Sequence, residues 1–508
     1  MAGLLDVPLE MLLQITSYLT TSEYGNLRRT CKRLEVMLFG DFAKEFFSKR
    51  QFALTEFSIQ ALVDIAKSRL GPSLTHLIIH LEHPYQERQS NPVPPPVPFS
   101  EIERKENCFL IECINHYQFI TTGLDAEMLT DAVKHLPNLE TIGMRDFNSK
   151  NRNRDNTEWH SYGCPTLMEN IHFPSLSLPE KGHLKGRGPE YTSHVFLTIL
   201  RAIGNAALSG SNLKITRFEV LLHTCILPDY SFRIPRHFEA VVSLALSRLT
   251  TLLLDGLTEQ VLWSELMVRG DDGNAIIAAG YFLSRFLART PGLEHLRLNF
   301  QTYKRSSTER FLTWLAGARE ITMDVVENAP DDFLVPFPSA PHLPNLRDLD
   351  IGMASVSEPV LLALYRNYKS TLRGISLHKV VLEGRADANT NLWAHLCSRM
   401  ARAGLEIRKI RLSFLRQRSR SRRAGVVTFK LSRNKNVKSW RGSAFSQAIK
   451  DIIKEMELSR DDLGDDSDDV SMDDDDDDDE DDDEESFDED GFNEEGFDEE
   501  GSDDDMTG

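Results

Sequence analysis

The sequence predicts an α/β protein in three parts: a small N-terminal helical unit, a repetitive body of short strands and helices, and an acidic tail. Three observations support this prediction. Residues 4–39 carry apolar side chains at helical spacing, a strand-like pattern recurs nine times between Leu74 and Leu412, and the residues from Asp461 onward are mostly Asp and Glu. Hydrophobic periodicity is the main signal of secondary structure in a sequence, so each part is assigned from its own period.

The N-terminal unit is predicted to contain three helices. Pro8 stands where a proline in the first turn costs no hydrogen bond, and Leu9 begins an apolar pattern with helical steps. The polar run 20–22 interrupts that pattern and offers an N-cap oxygen, after which Tyr24 begins a second apolar pattern that continues to Leu38. A unit of roughly 40 residues cannot bury a stable core alone, so we expect it to pack on a partner or on the rest of the chain.

Three short motifs in this unit resemble the F-box: Val7-Pro8, the run from Ile15 to Leu19, and the run from Leu27 to Leu34 with Cys31 and Lys32 inside it. The resemblance covers residues 1–50. It implies a docking surface for the Skp-type adaptor of a cullin-based ubiquitin ligase. Carried over to this sequence, the adaptor-binding residues would be Pro8, Leu9, Leu12, Ile15, Tyr18 and Leu19.

Length and composition indicate a soluble intracellular protein, cytoplasmic or nuclear, that does not associate with membranes. The chain of 508 residues is long enough for two or more domains. No stretch reaches the roughly 18 apolar residues of a membrane span, and the start lacks the basic region of a signal peptide. The six cysteines form no C-x-x-C pair, which argues against a zinc RING and against a disulfide framework.

The net charge of −20 is distributed unevenly. Thirty of the 78 acidic residues follow Arg460, where no Lys or Arg occurs, so the preceding chain carries 48 acids against 58 bases. Between Arg399 and Arg441 there are 15 Lys and Arg and one acid, Glu406. A basic segment therefore precedes an acidic one.

The body from 51 to 458 repeats the form L-x-x-L-x-ϕ, where ϕ is a large apolar residue. Copies begin at Leu74, Leu139, Ile215, Leu249, Leu293, Ala318, Leu346, Leu372 and Ile407. The later copies are spaced by about 25 to 35 residues, the period of leucine-rich repeats, and helical patterns such as 274–289 and 359–369 lie between them. Units of this size must stack on neighbours to bury both faces of a strand and a helix.

This pattern resembles the irregular leucine-rich-repeat-like solenoids that often follow an F-box, and residues 52–82 resemble fungal F-box proteins. The implied fold is a three-helix F-box followed by an α/β solenoid, with loop insertions at 84–100 and 146–190. A non-repetitive α/β domain with several parallel strands is the alternative fold.

If the body is a solenoid, the polar residues that alternate with the core positions line the inner, concave side of the solenoid, on the outer face of the sheet that points away from the core. We expect a protein target to bind there. The candidate target-binding residues are Arg217, Glu219, Arg297, Asn299, Asp324, Asp348, Asp350, His378, Lys409 and Arg411. The middle of this set is acidic and its end is basic, which would select a partner of matching charge order. A solvated sheet face without a partner is the alternative.

No catalytic, metal or cofactor site is predicted. His76, His80 and His83 lie near Glu82, but no second ligand cluster accompanies them at zinc spacing, and we expect partly exposed strand histidines. Gly204 and Gly210 lack the Lys-Ser/Thr of a phosphate-binding loop. We therefore expect a protein that is not an enzyme and has no cofactor.

The C-terminal region divides into a basic segment at 416–423, an amphipathic helix at 444–458 and the tail from 459 to 508. The basic segment is interpreted as a nuclear-import signal or a solvated loop; we do not expect nucleic-acid binding, because no aromatic residues are interleaved and a polyanion follows. The tail cannot bury enough apolar surface to fold and is predicted to be disordered. Phe487, Phe492 and Phe497 could bind a basic partner such as a histone; alternatively, the tail serves solubility or screens the basic segment of its own chain.

Together these features predict the substrate receptor of an SCF-type cullin ubiquitin ligase: the F-box binds the adaptor and through it a cullin, and the solenoid binds an unidentified protein target. The alternative is an adaptor-binding interaction module that acts without a cullin and associates with chromatin or histones through its acidic tail.

Overall fold

The computed structural model describes residues 4–84, 99–148, 154, 159–171, 188–258, 267–269, 275–277, 280–301, 305–317, 335–336, 338–384, 390–418 and 424–460. The helices are α1 Leu9–Thr16, α2 Thr21–Thr30, α3 Lys32–Phe47, α4 Glu56–Ala66, α5 Phe99–Thr121, α6 Leu124–Lys134, α7 Cys164–Ile171, α8 Gly188–Leu208, α9 Glu239–Leu246, α10 Tyr281–Leu287, α11 Arg305–Leu315, α12 Glu358–Asn367, α13 Leu392–Arg402 and α14 Phe445–Glu455.

The strands are β1 Lys49–Ala53, β2 His76–His80, β3 Thr141–Arg145, β4 Arg217–Leu221, β5 Leu227–Pro228, β6 Thr251–Leu254, β7 Leu257–Thr258, β8 Met267–Arg269, β9 Ala275–Ile277, β10 His295–Asn299, β11 Val335–Pro336, β12 Asp348–Gly352, β13 Ser355–Ser357, β14 Gly374–His378, β15 Val381–Glu383, β16 Lys409–Ser413, β17 Arg416–Arg418, β18 Ala424–Phe429, β19 Val437–Arg441 and β20 Met456–Arg460. The chain is thus a mixed α/β protein with a helical N-terminus.

The first three helices form a small unit with its own core. Thr20 caps α2 in a reciprocal arrangement: its hydroxyl accepts from the backbone N–H of Glu23, and the Glu23 carboxylate accepts from the backbone N–H of Thr20. This capping box satisfies two of the donors left open at the helix N-terminus. The centre of the unit is a cluster of buried residues: Leu12, Tyr24, Leu34 and Leu38.

A ten-stranded sheet runs through the body. Its order is β1-β2-β3-β4-β6-β10-β12-β14-β16-β19, so the strands succeed one another along the chain, and all pairs are parallel except the last, in which β19 runs antiparallel to β16. Helices connect the parallel strands, and neighbouring helices such as α6 and α8 or α12 and α13 pack side by side. Sequential parallel strands with one helix layer are the arrangement of a solenoid, in which each coil contacts the next.

The apolar positions of the repeated motif fill the space between sheet and helices. Leu252, Leu296, Leu349, Ile375 and Ile410, the second apolar residue of successive copies, are in register across the sheet and buried. They belong to a core cluster that extends from Phe52 to Met456 and includes the inner faces of the helices. Eight of the nine motif copies coincide with strands of this sheet.

The remaining copy, at 318–323, lies outside the described residues, and the sheet has no place for it. Strand β10 pairs directly with β12, so no strand stands between the copies at 293 and 346. The copy at 318–323 therefore contributes no strand between β10 and β12 of this sheet, and the predicted coil itself stays a prediction.

Each of the last three parallel coils turns sharply after its strand. Met353, Lys379 and Phe414 follow β12, β14 and β16 with φ values of 48°, 49° and 52°. Each donates its backbone N–H to a carbonyl of the next segment, at 2.9 Å in all three cases. The turn leads into a second sheet, ordered β13-β15-β17-β18-β20, so these coils carry two strands each.

Several predicted boundaries differ from the structure. The loop expected at 84–100 gives way to α5 at Phe99, and the one expected at 146–190 contains α7 and the start of α8. The helix expected at 444–458 ends at Glu455 because β20 begins at Met456 and pairs with β18. That strand also takes Ser459 and Arg460 from the predicted tail, whose remaining residues lie outside the described part of the chain. The basic segment begins with β17, and its residues 419–423 also lie outside.

Candidate functional site

An apolar face of the N-terminal unit is open to solvent although the unit has a complete core. Met11, Ile15 and Tyr18 follow one another at helical steps on α1 and the turn after it, with exposed fractions of 51%, 41% and 82%. Leu9 at the start of α1 and Val36 on α3 are also exposed. Large apolar side chains that remain outside a formed core are typical of protein-binding surfaces.

The six residues predicted to bind an adaptor take two kinds of position. Pro8, Leu9, Ile15 and Tyr18 are exposed. Ile15 and Tyr18 belong to the apolar row with Met11, whereas Leu9 at the start of α1 lies on another side of the helix. Leu19 is half-buried against the core of the unit, and Leu12 is fully buried at its centre. The side chain of Leu12 therefore supports the face from inside and does not line it. Met11 and Val36 were not predicted, although the spacing of Met11, Ile15 and Tyr18 could have indicated Met11.

The apolar face is held in place by an arginine from outside the unit. The Arg154 guanidinium donates to both carboxylate oxygens of Glu45 on α3, at 2.6 Å each, and to the carbonyl of Thr16 at the end of α1. Its carbon lies 4.2 Å from the centre of the Tyr24 ring, within cation–π range. Arg154 therefore links α1, α2 and α3 to the body, a contact that the sequence did not indicate.

The second candidate surface is the outer face of the large sheet. On strands β10, β12 and β16 the side chains alternate between fully buried core residues and half-buried polar ones. The register aligns the outward-facing residues in rows across the strands. One row contains His295, Asp348, Gly374 and Lys409, with no side chain at the glycine. The next row contains Arg297, Asp350, Ser376 and Arg411. Nine of the ten predicted target-binding residues belong to strands of this sheet; Asp324 lies outside the described residues.

Charges on this face are paired between strands, and the Lys409–Asp348 pair reaches across Gly374 of the intervening β14. His295 Nε2 lies 2.7 Å from Asp350 Oδ2, Lys409 Nζ lies 2.9 Å from Asp348 Oδ1, and an Arg297 nitrogen lies 3.2 Å from Asp255 Oδ2. Burial by itself would raise the pKa of Asp350, but the hydrogen bond from His295 and the nearby cations hold that pKa below its usual value. The acidic residues Asp348 and Asp350 in the middle of the predicted target-binding set are thus paired with basic residues of the same sheet face.

A buried charge network occupies the same face nearer the N-terminus. Glu219 is only 3% exposed. Its carboxylate accepts a hydrogen bond from the Arg217 Nε–H at 2.5 Å. It also lies 3.3 Å from His76 Nε2 and 3.9 Å from a guanidinium nitrogen of Arg145. Burial opposes ionisation, yet these groups together lower the pKa of Glu219 well below its usual value. Gly143 lies opposite Glu219 in the register, so the middle strand β3 presents no side chain next to this carboxylate.

His378 lies among cations at the C-terminal end of the face. Burial is the main reason that its pKa falls to about 3, and the charges of Lys379, Arg297 and Arg411 lower it further. The ring is therefore neutral, and its Nδ1 lies 3.0 Å from the Ser413 hydroxyl. A neutral histidine beside arginines is a hydrogen-bonding group and not a charge on this surface.

The other residues considered for chemistry have structural surroundings. His80 and His83 are buried, contrary to the expectation of partly exposed histidines, because insertion residues and α8 cover this end of the sheet: the ring of His83 stacks on Tyr191 of α8 with centroids 3.8 Å apart. Gly204 is a packing residue, since a Cβ there would lie 2.3 Å from the carbonyl oxygen of Val241. In the described ranges no three His, Cys, Asp or Glu residues are grouped as metal ligands.

Within those ranges, no helix is both long enough and apolar enough to cross a membrane. The cysteines are free thiols, three of them buried.

Comparison with known families identifies the N-terminal unit. The family model described as F-box-like matches residues 4–44, so helices α1 to α3 form an F-box-like domain. This confirms the resemblance in that region; the resemblance of residues 52–82 to fungal proteins stays a prediction. A comparison with curated proteins found no match.

Among solved structures, the leucine-rich repeat-containing protein LegL7 from Legionella pneumophila is similar over 73% of this chain and 91% of its own, with 12% identity and a TM-score of 0.23. A superposition this loose supports no argument. The solenoid assignment therefore rests on the strand order and register.

Proposed function

We propose that this chain is the substrate-recognition subunit of an SCF-type cullin ubiquitin ligase. Its F-box-like domain would bind a Skp-type adaptor through the exposed face of α1, and the outer face of its sheet would bind a protein target. The observation that carries the proposal is the exposed row Met11, Ile15 and Tyr18 on a domain whose own core is already filled.

The chemistry of the α1 face suits a tight protein contact. Tyr18 is almost fully exposed and offers a large apolar ring with a polar tip, the kind of side chain that most often dominates interface energies. Met11 and Ile15, on the same side of α1, add apolar surface that gains about 25 cal/mol for each Å² removed from water. Arg154 and the buried Leu12 hold α1 from the other side, so little conformational entropy is lost when a partner binds.

The chain would supply no catalytic group in this role. Its contribution would be effective concentration: a target held on the sheet face is kept near a ubiquitin carrier that other subunits bring, which turns a bimolecular encounter into a nearly intramolecular one. The paired charges of the sheet face favour selection among partners, because a wrong partner must break His295–Asp350 or Lys409–Asp348 without compensation.

The test is binding of a purified Skp-type adaptor to the full chain, measured by calorimetry. The double variant Ile15→Asp/Tyr18→Asp places charges on the α1 face and should abolish binding while the thermal unfolding of the chain stays unchanged. Leu431→Asp is the matched control, because Leu431 is 80% exposed and follows β18 at the far end of the body. Equal adaptor binding by the Ile15→Asp/Tyr18→Asp variant and the wild type would refute the assigned face.

A second measurement separates the receptor from an adaptor-binding module that acts without a cullin. The adaptor complex of the full chain is mixed with a cullin and analysed by size-exclusion chromatography. Co-elution of all three proteins supports the receptor. A stable pair that excludes the cullin favours the module.

A further inference from the structure

The C-terminal end of the solenoid presents a cluster of cations. We call it the basic end surface and define it by Lys409 and Arg411 on β16, Arg441 on β19, and Arg408, Arg433 and Lys435 beside these strands. The antiparallel register places Arg441 directly opposite Lys409 and Ser439 opposite Arg411. Phe429 donates its N–H to the carbonyl of Lys435 at 2.7 Å, which fixes the loop that carries Lys435 and Arg433 against β18.

Most of these cations have no acidic partner in the described part of the chain. No ion pair is found there for Arg408, Arg411, Arg433 or Lys435, all exposed or half-buried. Neighbouring lysines differ: Lys430 pairs with Glu457 and Lys438 with Glu455. The one acid between Arg399 and Arg441, Glu406, is bound by Arg373 at 3.2 Å. The basic end surface therefore carries positive charge that the folded body does not balance.

The chain itself holds the complementary charge, and it begins close by. Beyond Arg460 come 30 acidic residues without a Lys or Arg. In the second sheet, Arg460 of β20 lies opposite Gly425 of β18, and Gly425 lies opposite Gln417 of β17. The tail therefore starts two strand spacings, about 10 Å, from Gln417. Gln417 follows Arg411 by only a short stretch of chain, since β17 comes directly after β16.

We propose that the acidic tail from Asp461 onward binds the basic end surface of its own chain and covers the C-terminal end of the sheet face. A random-coil chain of 48 residues spans roughly 40 Å, so a segment as long as this tail can reach the surface. Tethering gives the tail a local concentration in the millimolar range, enough for many weak charge contacts to hold it.

The covered region includes Lys409 and Arg411, two of the residues on which the proposed function places a target. An acidic target would have to displace the tail, and the tail would thereby reject weakly bound anions. The tail contact itself does not depend on adaptor binding, and neither test below uses an adaptor, so each proposal can fail separately.

The first test is carbodiimide cross-linking of the full chain, which joins a lysine amine to a carboxylate in contact with it, followed by peptide mapping. We expect carboxylates of 461–508 to be joined to Lys409 and Lys435, and the products to disappear at high salt because exposed charge contacts are screened. Lys134 and Lys214, exposed on earlier coils, are the internal controls. Products spread equally over Lys134 and Lys214, or no tail products at all, would overturn the proposal.

The second test measures access to the surface with a fluorescent polyglutamate peptide and full-length chains. One variant has every Asp and Glu after Arg460 replaced by its amide, and a second adds Arg411→Glu and Lys435→Glu to that change. The amide variant should bind the peptide at least about tenfold more tightly than the wild type, because no tethered competitor remains. The second variant should lose this gain.

Equal peptide binding by the wild type and the amide variant overturns the proposal, as does binding that survives Arg411→Glu/Lys435→Glu. A labelled single-stranded oligonucleotide serves as the second probe. If it binds the wild type as tightly as the amide variant, the surface is open to nucleic acid and the tail does not cover it.

Discussion

Arg154 donates two hydrogen bonds of 2.6 Å to the carboxylate of Glu45, a residue 109 positions earlier in the chain. The same guanidinium donates to the carbonyl of Thr16, where α1 ends and few backbone acceptors have partners. A single side chain of the insertion thus joins two helices of the F-box-like domain to the body. The domain, too small to be stable alone, obtains part of its support there.

Replacing Arg154 with Ala should loosen the F-box-like domain and leave the solenoid unchanged. The charge-assisted pair is partly buried, and its loss leaves Glu45 without its bidentate partner, so we expect a cost of about 1–3 kcal/mol. Hydrogen exchange should quicken in residues 12–24 and 38–47. Arg347→Ala, which removes an exposed pair with Glu294, is the control and should change exchange little. Unchanged protection of α1 in the Arg154→Ala chain would contradict this role.

Leu12 and Ile15 should respond in opposite ways to truncation. Leu12→Ala removes a fully buried side chain from the small core and should destabilise the domain by about 2–5 kcal/mol. Ile15→Ala changes an exposed residue and should alter the free energy of unfolding by no more than about 0.5 kcal/mol. Chemical denaturation followed by a probe in the F-box-like domain measures both. Similar losses would mean that Ile15 is part of the core.

Gly143 is the glycine of β3 that lies directly opposite Glu219 on β4. A Cβ at this position would lie 2.5 Å from the carbonyl oxygen of Glu219, on backbone that cannot move without breaking the ladder. Gly143→Ala should therefore destabilise the chain by about 1–3 kcal/mol. Gly25→Ala is the matched control: no atom lies within 4 Å of the added carbon, and in helix α2 the change should stabilise by about 0.5–1 kcal/mol. Thermal unfolding of both variants measures these changes in stability. An unchanged unfolding temperature for Gly143→Ala would contradict the predicted clash.

His378 should make the chain sensitive to acid. Burial is the main reason that its pKa falls from the usual 6.5 to about 3 on folding, so below pH 6.5 the unfolded chain binds a proton that the folded chain does not bind. Stability is then lost as the pH falls through this window, by up to about 2 kcal/mol between about pH 7 and 5 from this side chain. His378→Gln should reduce the loss. The exposed His135→Gln is the control. Identical pH profiles for His378→Gln and the wild type would contradict the assignment.

Local patterns in the sequence indicate the fold well wherever the side chains of a strand decide its position. The apolar residues of the repeated motif, such as Leu296 and Leu349, predict strands that do pair in register. The sequence pattern does not predict strand β1, because Arg50 occupies the position at which the other strands have an apolar core residue. Strands β19 and β20 were not predicted because they pair with segments distant in the sequence, and such pairing leaves no local periodic pattern.

The candidate site is less predictable, because burial depends on the whole fold. Helical spacing marks Leu12 and Ile15 alike as apolar, yet one is inside the domain and the other outside. Glu219 reads as an exposed strand residue until Arg145 and His76 from neighbouring strands enclose it. Arg154 lies in a polar insertion with no periodicity, so nothing in the sequence connects it with Glu45.

The reversed direction of β19 has a consequence for how the protein behaves in a crowded solution. A stack of parallel coils could in principle grow without limit, since each new strand exposes the same unpaired backbone groups. Here the last parallel edge is occupied by a short strand of opposite direction that carries Lys438 and Arg441, charged residues of the kind that discourages pairing with another chain. The C-terminal edge of the solenoid is thereby protected against edge-to-edge aggregation, at the end that its own tail would also cover.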